Sequence, residues 1–209
     1  MKLDKPITRN FDKSYRMGVE LSAAWMPVDW FRWDANATFS KNRVKDVTVA
    51  LTDGTVYTIA GESQLAFSPN TIFNNVFTFD KAGFRGMVMS HFVGEQNLTN
   101  TGFKTMQTKD AGGNMVNDLI SLKQYFTTDI DLSYTFSLKA LALKEATIGL
   151  TLYNLFSSKY DNNGWAAPQY RLDGSKLVAQ NTWGTRDSDA AGFAPSAPFH
   201  FMARLAVTF

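Results

Sequence analysis

The chain has 209 residues, with 21 Lys and Arg against 19 Asp and Glu and a formal net charge of +2. That balance, with no basic stripe, excludes an electrostatic nucleic-acid partner, and the absence of Cys excludes a disulfide framework and any thiolate nucleophile or metal ligand. No run approaches the roughly 18 apolar residues of a membrane helix, yet aromatics make up 14% of the chain, so any contact with lipid would be made by strands.

The N-terminal stretch "MKLDKPITRNFDKSYRMG" carries charges throughout and has no apolar centre, so it does not read as a signal peptide. Period-two alternation predicts a first strand over residues 15 to 26. Tyr15, Met17, Val19, Leu21, Ala23 and Trp25 share one face; Arg16, Gly18, Glu20 and Ser22 share the other. A tight turn at "PVDW" leads to a second strand over 31 to 42, where Phe31, Trp33, Ala35, Ala37 and Phe39 oppose Arg32, Asp34, Asn36 and Thr38. Each run matches the 9 to 11 or so residues that cross a bilayer at a tilt.

Residues 43 to 69 read as a long loop holding a small hairpin, "VTVALTDGTVYTIA", with Asp53-Gly54 as a two-residue turn. A third strand is expected over 70 to 79, with Phe73, Phe77 and Phe79 in phase and Asn75 out of character. After the short turn "DKAG", a fourth runs from Gly83 to Val93; its phase stays open, because Phe84, Val88 and Phe92 compete with Met87, Met89 and Val93. Residues 94 to 122 form a second long loop, rich in Asn, Thr, Gly and Lys. In the fifth strand, Phe126, Thr128, Ile130, Leu132, Tyr134 and Phe136 oppose Tyr125, Thr127, Asp129, Asp131, Ser133 and Thr135. The turn "SLKALALKE" leads to a sixth, with Ala146, Ile148, Leu150 and Leu152 on one face. Residues 157 to 197 are the longest loop, and the last strand ends the chain with Phe199, Phe201, Ala203, Leu205, Val207 and Phe209 on one face and Arg204 on the other.

Long and short connections alternate, which gathers the long loops at one end of an up-and-down sheet. Alternating strands, one-sided loops and aromatics at strand ends are the pattern of a transmembrane β-barrel. The expected fold is all-β: an antiparallel up-and-down barrel segment of about seven long strands, plus the hairpin in one extracellular loop. Arg16, Glu20, Arg32, Asp34, Asp129, Asp131 and Arg204 would face the lumen. Seven strands, or nine with the hairpin, cannot close a bacterial barrel of even strand number, so the barrel is expected to be incomplete. Residues 1–14 would be the end of an extracellular loop and 15–209 the C-terminal part of the barrel, with the C-terminus periplasmic.

No credible catalytic pair, cofactor site or metal site emerges. Ser90 and His91 are adjacent and would point to opposite faces of a strand. "YDNNGW" at 160 to 165 opens like a Ca²⁺ loop but lacks the downstream bidentate Glu; a surface turn is the plainer reading. "DAGG" at 110 to 113 reads as a flexible loop. Asp129 and Asp131 share a face, which suits a hydrated wall network better than acid–base chemistry. Trp165, Tyr170, Trp183 and Phe193 could stack on a ligand or pack the last loop on itself.

The segments "YRMGVELSAAWMPVDWFRWDANATFSKNRVKD", "YFTTDIDLSYTF", "IGLTLYNLFSSKYDNNGW" and "APSAPFHFMARLAVTF" resemble the C-terminal barrel region of TonB-dependent outer-membrane receptors of Bacteroidetes type. The resemblance implies a barrel of about 22 strands plugged by an N-terminal domain, in the bacterial outer membrane. It implies uptake of a scarce nutrient, an iron chelate, cobalamin or a glycan, driven by TonB through an N-terminal region that this sequence lacks. Phe201, Ala203, Leu205, Val207 and Phe209 resemble the signal read by the barrel-assembly machinery. The competing readings are a small complete barrel serving as pore or anchor, an outer-membrane enzyme, and a soluble lipid-binding barrel.

Overall fold

The computed structural model describes residues 13–137, 144–185 and 190–209, and of 182–185 the backbone alone. In chain order the strands are β1 (Ser14–Val28), β2 (Phe31–Ala50), β3 (Val56–Gln64), β4 (Thr71–Lys81), β5 (Phe84–Val93), β6 (Gln96–Asn97), β7 (Thr105–Lys109), β8 (Met115–Leu119), β9 (Ser121–Leu122), β10 (Tyr125–Ser137), β11 (Glu145–Tyr153), β12 (Asp161–Ala166), β13 (Gln169–Asp173), β14 (Lys176–Thr185), β15 (Ala191–Pro195) and β16 (His200–Thr208). Among the described residues there is no helix. None is therefore long and apolar enough to cross a membrane, which says nothing of strands.

Seven strands form an antiparallel wall in the order β1-β2-β4-β5-β10-β11-β16. The expected up-and-down wall is therefore the observed one. Among the described residues it is an open sheet, with β1 and β16 each paired on one side only. Pairing keeps one face in phase across all seven strands. One row runs Trp25, Trp33, Phe77, Val88, Ile130, Leu152, Phe201. Trp25 lies three residues above Val28 at the end of β1, whereas Phe201 lies seven above Thr208 at the end of β16. The strands are thus staggered in one direction, as the tilt of a barrel wall requires.

Local chemistry explains the turns. Pro27, with no N–H to give, sits in a bulge where β1 shifts register between Trp25 and Val28. Ala82 and Gly83 join β4 to β5 at φ 54° and 83°, the two left-handed residues of a type I′ turn. The hairpin of β2 and β3 corrects the expected two-residue turn. Gly54 donates its N–H to the Leu51 carbonyl at 3.0 Å, and Leu51 bonds Thr55 at 2.8 Å. With Gly54 at φ 86°, the loop has three residues and a left-handed closing glycine.

The larger departure is in the three long connections. They are not irregular loops but a second, smaller body at one end of the wall, here called the cap. β2 does not stop at residue 42; it continues to Ala50 and pairs with β3. Asp46, at φ 52°, breaks the alternation, so Val44 and Val47 both turn inward. Residues 94 to 122 contribute the hairpin β7–β8, and 157 to 197 the hairpin β13–β14. β14 pairs with β7 in parallel, giving a sheet β13-β14-β7-β8. The stretch at 110 to 113, expected to be flexible, is a defined turn: Asp110 accepts from the N–H groups of Gly112 and Asn114 at 2.9 and 2.8 Å.

The buried apolar core belongs to this cap. Val44, Val47, Val49 and Leu51 meet Met106 and Ile120 from the second connection and Tyr170, Ala179 and Ala190 from the third. Each connection alone is too short to bury an apolar face; together they can.

Candidate functional site: the two faces of the wall and the cap

The apolar face is open to its surroundings along the whole sheet. Leu21 is 57% exposed, Ile148 51%, Leu205 71% and Phe201 65%. A monomer in water rarely carries so continuous an apolar surface. At the short-turn end of this face lies a belt of rings. Phe31 is 5.1 Å from Phe79 and 6.2 Å from Phe77, Trp25 packs edge-on to Phe31 at 6.3 Å, and Trp30 stacks on Phe79 at 6.4 Å. Lys81 stands 5.7 Å over the Trp30 ring. Tyr134 and Phe136 stack at 6.0 Å on the same face. Asn75, the odd polar residue, is answered by a hydrogen bond from the Trp33 indole. Register also settles the phase of β5: Phe84, Val88 and Phe92 take the apolar face, and Met87, Met89 and Val93 the other.

The second face holds a chain of polar networks. Arg32 and Asp34 form a two-point ion pair at 2.7 and 2.6 Å. Asn74 donates to Asn36 at 2.8 Å and bonds His91 on its other side. Asp131 accepts from Thr151 at 2.6 Å and from both terminal nitrogens of Arg204 at 2.8 and 2.9 Å. Arg16 and Glu20 lie on this face by register. Asp129 accepts the backbone N–H of Asn154 at 2.7 Å. The two Asp side chains are therefore engaged separately, by a turn and by an arginine. Ser90 bonds Thr128 on the apolar face while His91 bonds Asn74 on the polar one, so the two are not a catalytic pair.

Asn154 is the residue that sequence reasoning missed. At φ 48°, it accepts the Ser158 N–H at 2.9 Å and donates to the carbonyls of Ser158 and Ala197 at 2.9 and 3.1 Å. It thereby fastens both ends of the third connection to the wall. Its signal was present in "YNLFSSKY", whose Asn between two apolar residues suits a left-handed turn.

The four loop aromatics part company. Tyr170 is 8% exposed, its hydroxyl 3.1 Å from that of Thr101 and its ring 5.9 Å from Phe103. It is a core ring of the cap, and what little of it is exposed lines a groove at the surface. Burial pushes its phenol above the ordinary tyrosine value. The Trp183 side chain lies outside the described residues. Trp165 and Phe193 are 49% and 40% exposed, on the pair β12–β15, Phe193 opposite Gly164 and Trp165 opposite Gly192. The Ca²⁺-like "YDNNGW" is mostly β12 itself. An open groove of about 560 Å³ lies beside the hairpin tip, lined by Val49, Leu51, Thr52, Pro168, Gln169 and Tyr170.

No protein-family model matches this sequence, and no curated protein matches it. Among solved structures, the chain is similar to the ferric yersiniabactin uptake receptor of Yersinia pestis, with a TM-score of 0.50 and 16% identity, over 93% of this chain and 23% of that one. The chain therefore spans about a quarter of the length of that receptor. At this identity the likeness is one of fold: the wall and cap described here have the form of part of a receptor β-barrel.

Proposed function

We propose that the chain forms part of the wall and of the outer surface of a TonB-dependent receptor in the bacterial outer membrane. One observation carries the reading: a single apolar face, in register over seven strands and belted by aromatics at one end, backs onto a face of ion pairs and amide networks. That is how a wall between lipid and a wet lumen must be built. In this reading lipid bathes Ile130, Leu132 and Leu205. Arg16, Glu20, Arg32, Asp34, Asp129, Asp131 and Arg204 face the lumen, and the short-turn end and C-terminus are periplasmic. The cap is extracellular and presents Trp165 and Phe193 to a small nutrient ligand. TonB acts through a region outside this chain. Phe201, Ala203, Leu205, Val207 and Phe209 guide assembly by offering a free apolar edge to the barrel-assembly machinery. Among the described residues β1 and β16 do not pair, which disfavours a small closed pore or anchor.

This chain has no Cys, so single cysteines can be placed in it within the full-length protein once any Cys outside it is replaced by Ser. A membrane-impermeant maleimide added to whole cells should label Cys at Trp165 and leave Cys at Ile130 and Leu205 unlabelled. A strain lacking the gene should grow more slowly on one limiting source, a ferric chelate, cobalamin or a glycan. Fast labelling at Ile130 and Leu205 overturns the membrane assignment; equal growth on all three sources overturns the uptake role.

A further inference from the structure

Just above the apolar face, at the cap end of β1 and β2, the outward positions change character within one residue pair. Val19 faces Phe39; the next outward pair is Met17 and Lys41, and the next is Tyr15 and Arg43. Lys45 follows on β2, paired with Glu62 on β3. The side chains form one cluster. Tyr15 donates to Glu62 at 3.0 Å, Lys41 and Lys45 reach Glu62 at 3.0 and 3.4 Å, and their ammonium groups stand 5.6 and 5.8 Å over the Tyr15 ring. Arg43 leans back to Asn42 and Asn70 at 2.9 and 3.2 Å. Lys13 and Asp46 pair with each other beside it at 3.5 Å. Two ammonium groups thus face one carboxylate, with the Arg43 guanidinium turned back from it, on the outward side of the sheet and not on its lumenal side.

We infer that Lys41, Lys45 and Tyr15 form a site for the phosphate of a membrane lipid headgroup whose acyl chains lie along Met17, Val19, Leu21 and Phe39. The inference rests on the membrane reading above. Charge complementarity selects the occupant. Lysine stems lie along apolar surface and hold their heads at the water boundary, a tyrosine belongs at that boundary, and cations there attract anionic headgroups. Met17, Val19, Leu21 and Phe39 are 53% to 60% exposed directly below, so headgroup and tails have adjoining places. Glu62 is the resident competitor: it occupies both ammonium groups when no phosphate is present and turns aside when one arrives.

The test uses the full-length receptor purified in neutral detergent, with phosphatidic acid and diacylglycerol of matched acyl chains as probes and retained lipid read by native mass spectrometry. Phosphatidic acid should be retained and diacylglycerol not. Lys41→Gln with Lys45→Gln should lower retention about tenfold, and Glu62→Gln should raise it, an effect that damage to the fold would not produce. Inorganic phosphate at matched concentration should fail to displace the lipid. Equal retention of the two probes, an unchanged Lys variant, weaker retention with Glu62→Gln, or displacement by inorganic phosphate each overturns the site. Failure of the membrane reading shows separately, as fast maleimide labelling of Cys at Leu21 and Phe39 in cells.

Discussion

Arg204 reaches across β11 to grip Asp131 on β10, and Gly149 lies beneath it. The two guanidinium bonds are 2.8 and 2.9 Å, and a Cβ on Gly149 would stand 2.5 Å from the arginine Nε. The absent side chain is the passage through which the last strand is tied to one that is not its neighbour. Gly149→Ala should therefore act like Arg204→Ala, lowering the thermal midpoint of the protein in detergent by several degrees. The double variant should fall no further than either single one. Additive losses would show that the glycine serves something other than the passage.

The cap core makes a second prediction. Ile120 is 0% exposed and packs against residues of all three connections. Ile120→Ala should cost about 2–5 kcal/mol of local stability. Hydrogen exchange should accelerate in β7, β13 and the β2–β3 hairpin, with β10 and β11 unchanged. Equal acceleration in the wall would mean that cap and wall unfold as one unit.

The turn between β4 and β5 is improvable. Ala82 holds φ 54°, where a Cβ is disfavoured by about 1–2 kcal/mol and Asn is better tolerated. Ala82→Asn makes an Asn-Gly type I′ turn and should stabilise the hairpin by about 1 kcal/mol, read as slower unfolding in denaturant.

Alkaline pH should loosen the cap before the wall. Burial holds the Tyr170 phenol above its ordinary value of 10.0, with the Thr101 and Thr99 hydroxyls opposing that shift only in part. Folding raises this pKa, so the contribution of the neutral ring is whole below pH 10.0 and is lost as pH climbs through the raised folded value. Exchange of cap amides should rise relative to wall amides above pH 10.0. Tyr170→Phe should abolish that pH dependence while keeping the packing.

The wall was legible because a two-residue period is local: Phe126 to Phe136 names its own two faces without help from the rest of the chain. Where both faces were apolar, as with Phe84, Met87, Val88 and Met89, only cross-strand register decides. Of the cap, only the hairpin around Asp53 and Gly54 was legible, and the rest was hidden for a related reason. Its strands are mostly five to ten residues long, and its pairings join distant segments, such as Gln107 with Gln180 and Leu51 with Tyr170; no local pattern announces them. Asp46 compounded this, since one left-handed residue changes which valines face inward. From the sequence Tyr170 reads equally as a ring for a ligand or as one that packs its own loop, and its place in the core shows only once three loops are seen to share one interior.

That shared interior has a consequence for inheritance. Val47, Ile120 and Ala179 come from three separate stretches and fill one volume, so a recombination event that imported a single foreign loop would leave the remaining two with a hole or a clash. Variation in the cap should therefore travel as matched triplets of segments, and selection for change in one of them would drag the other two along.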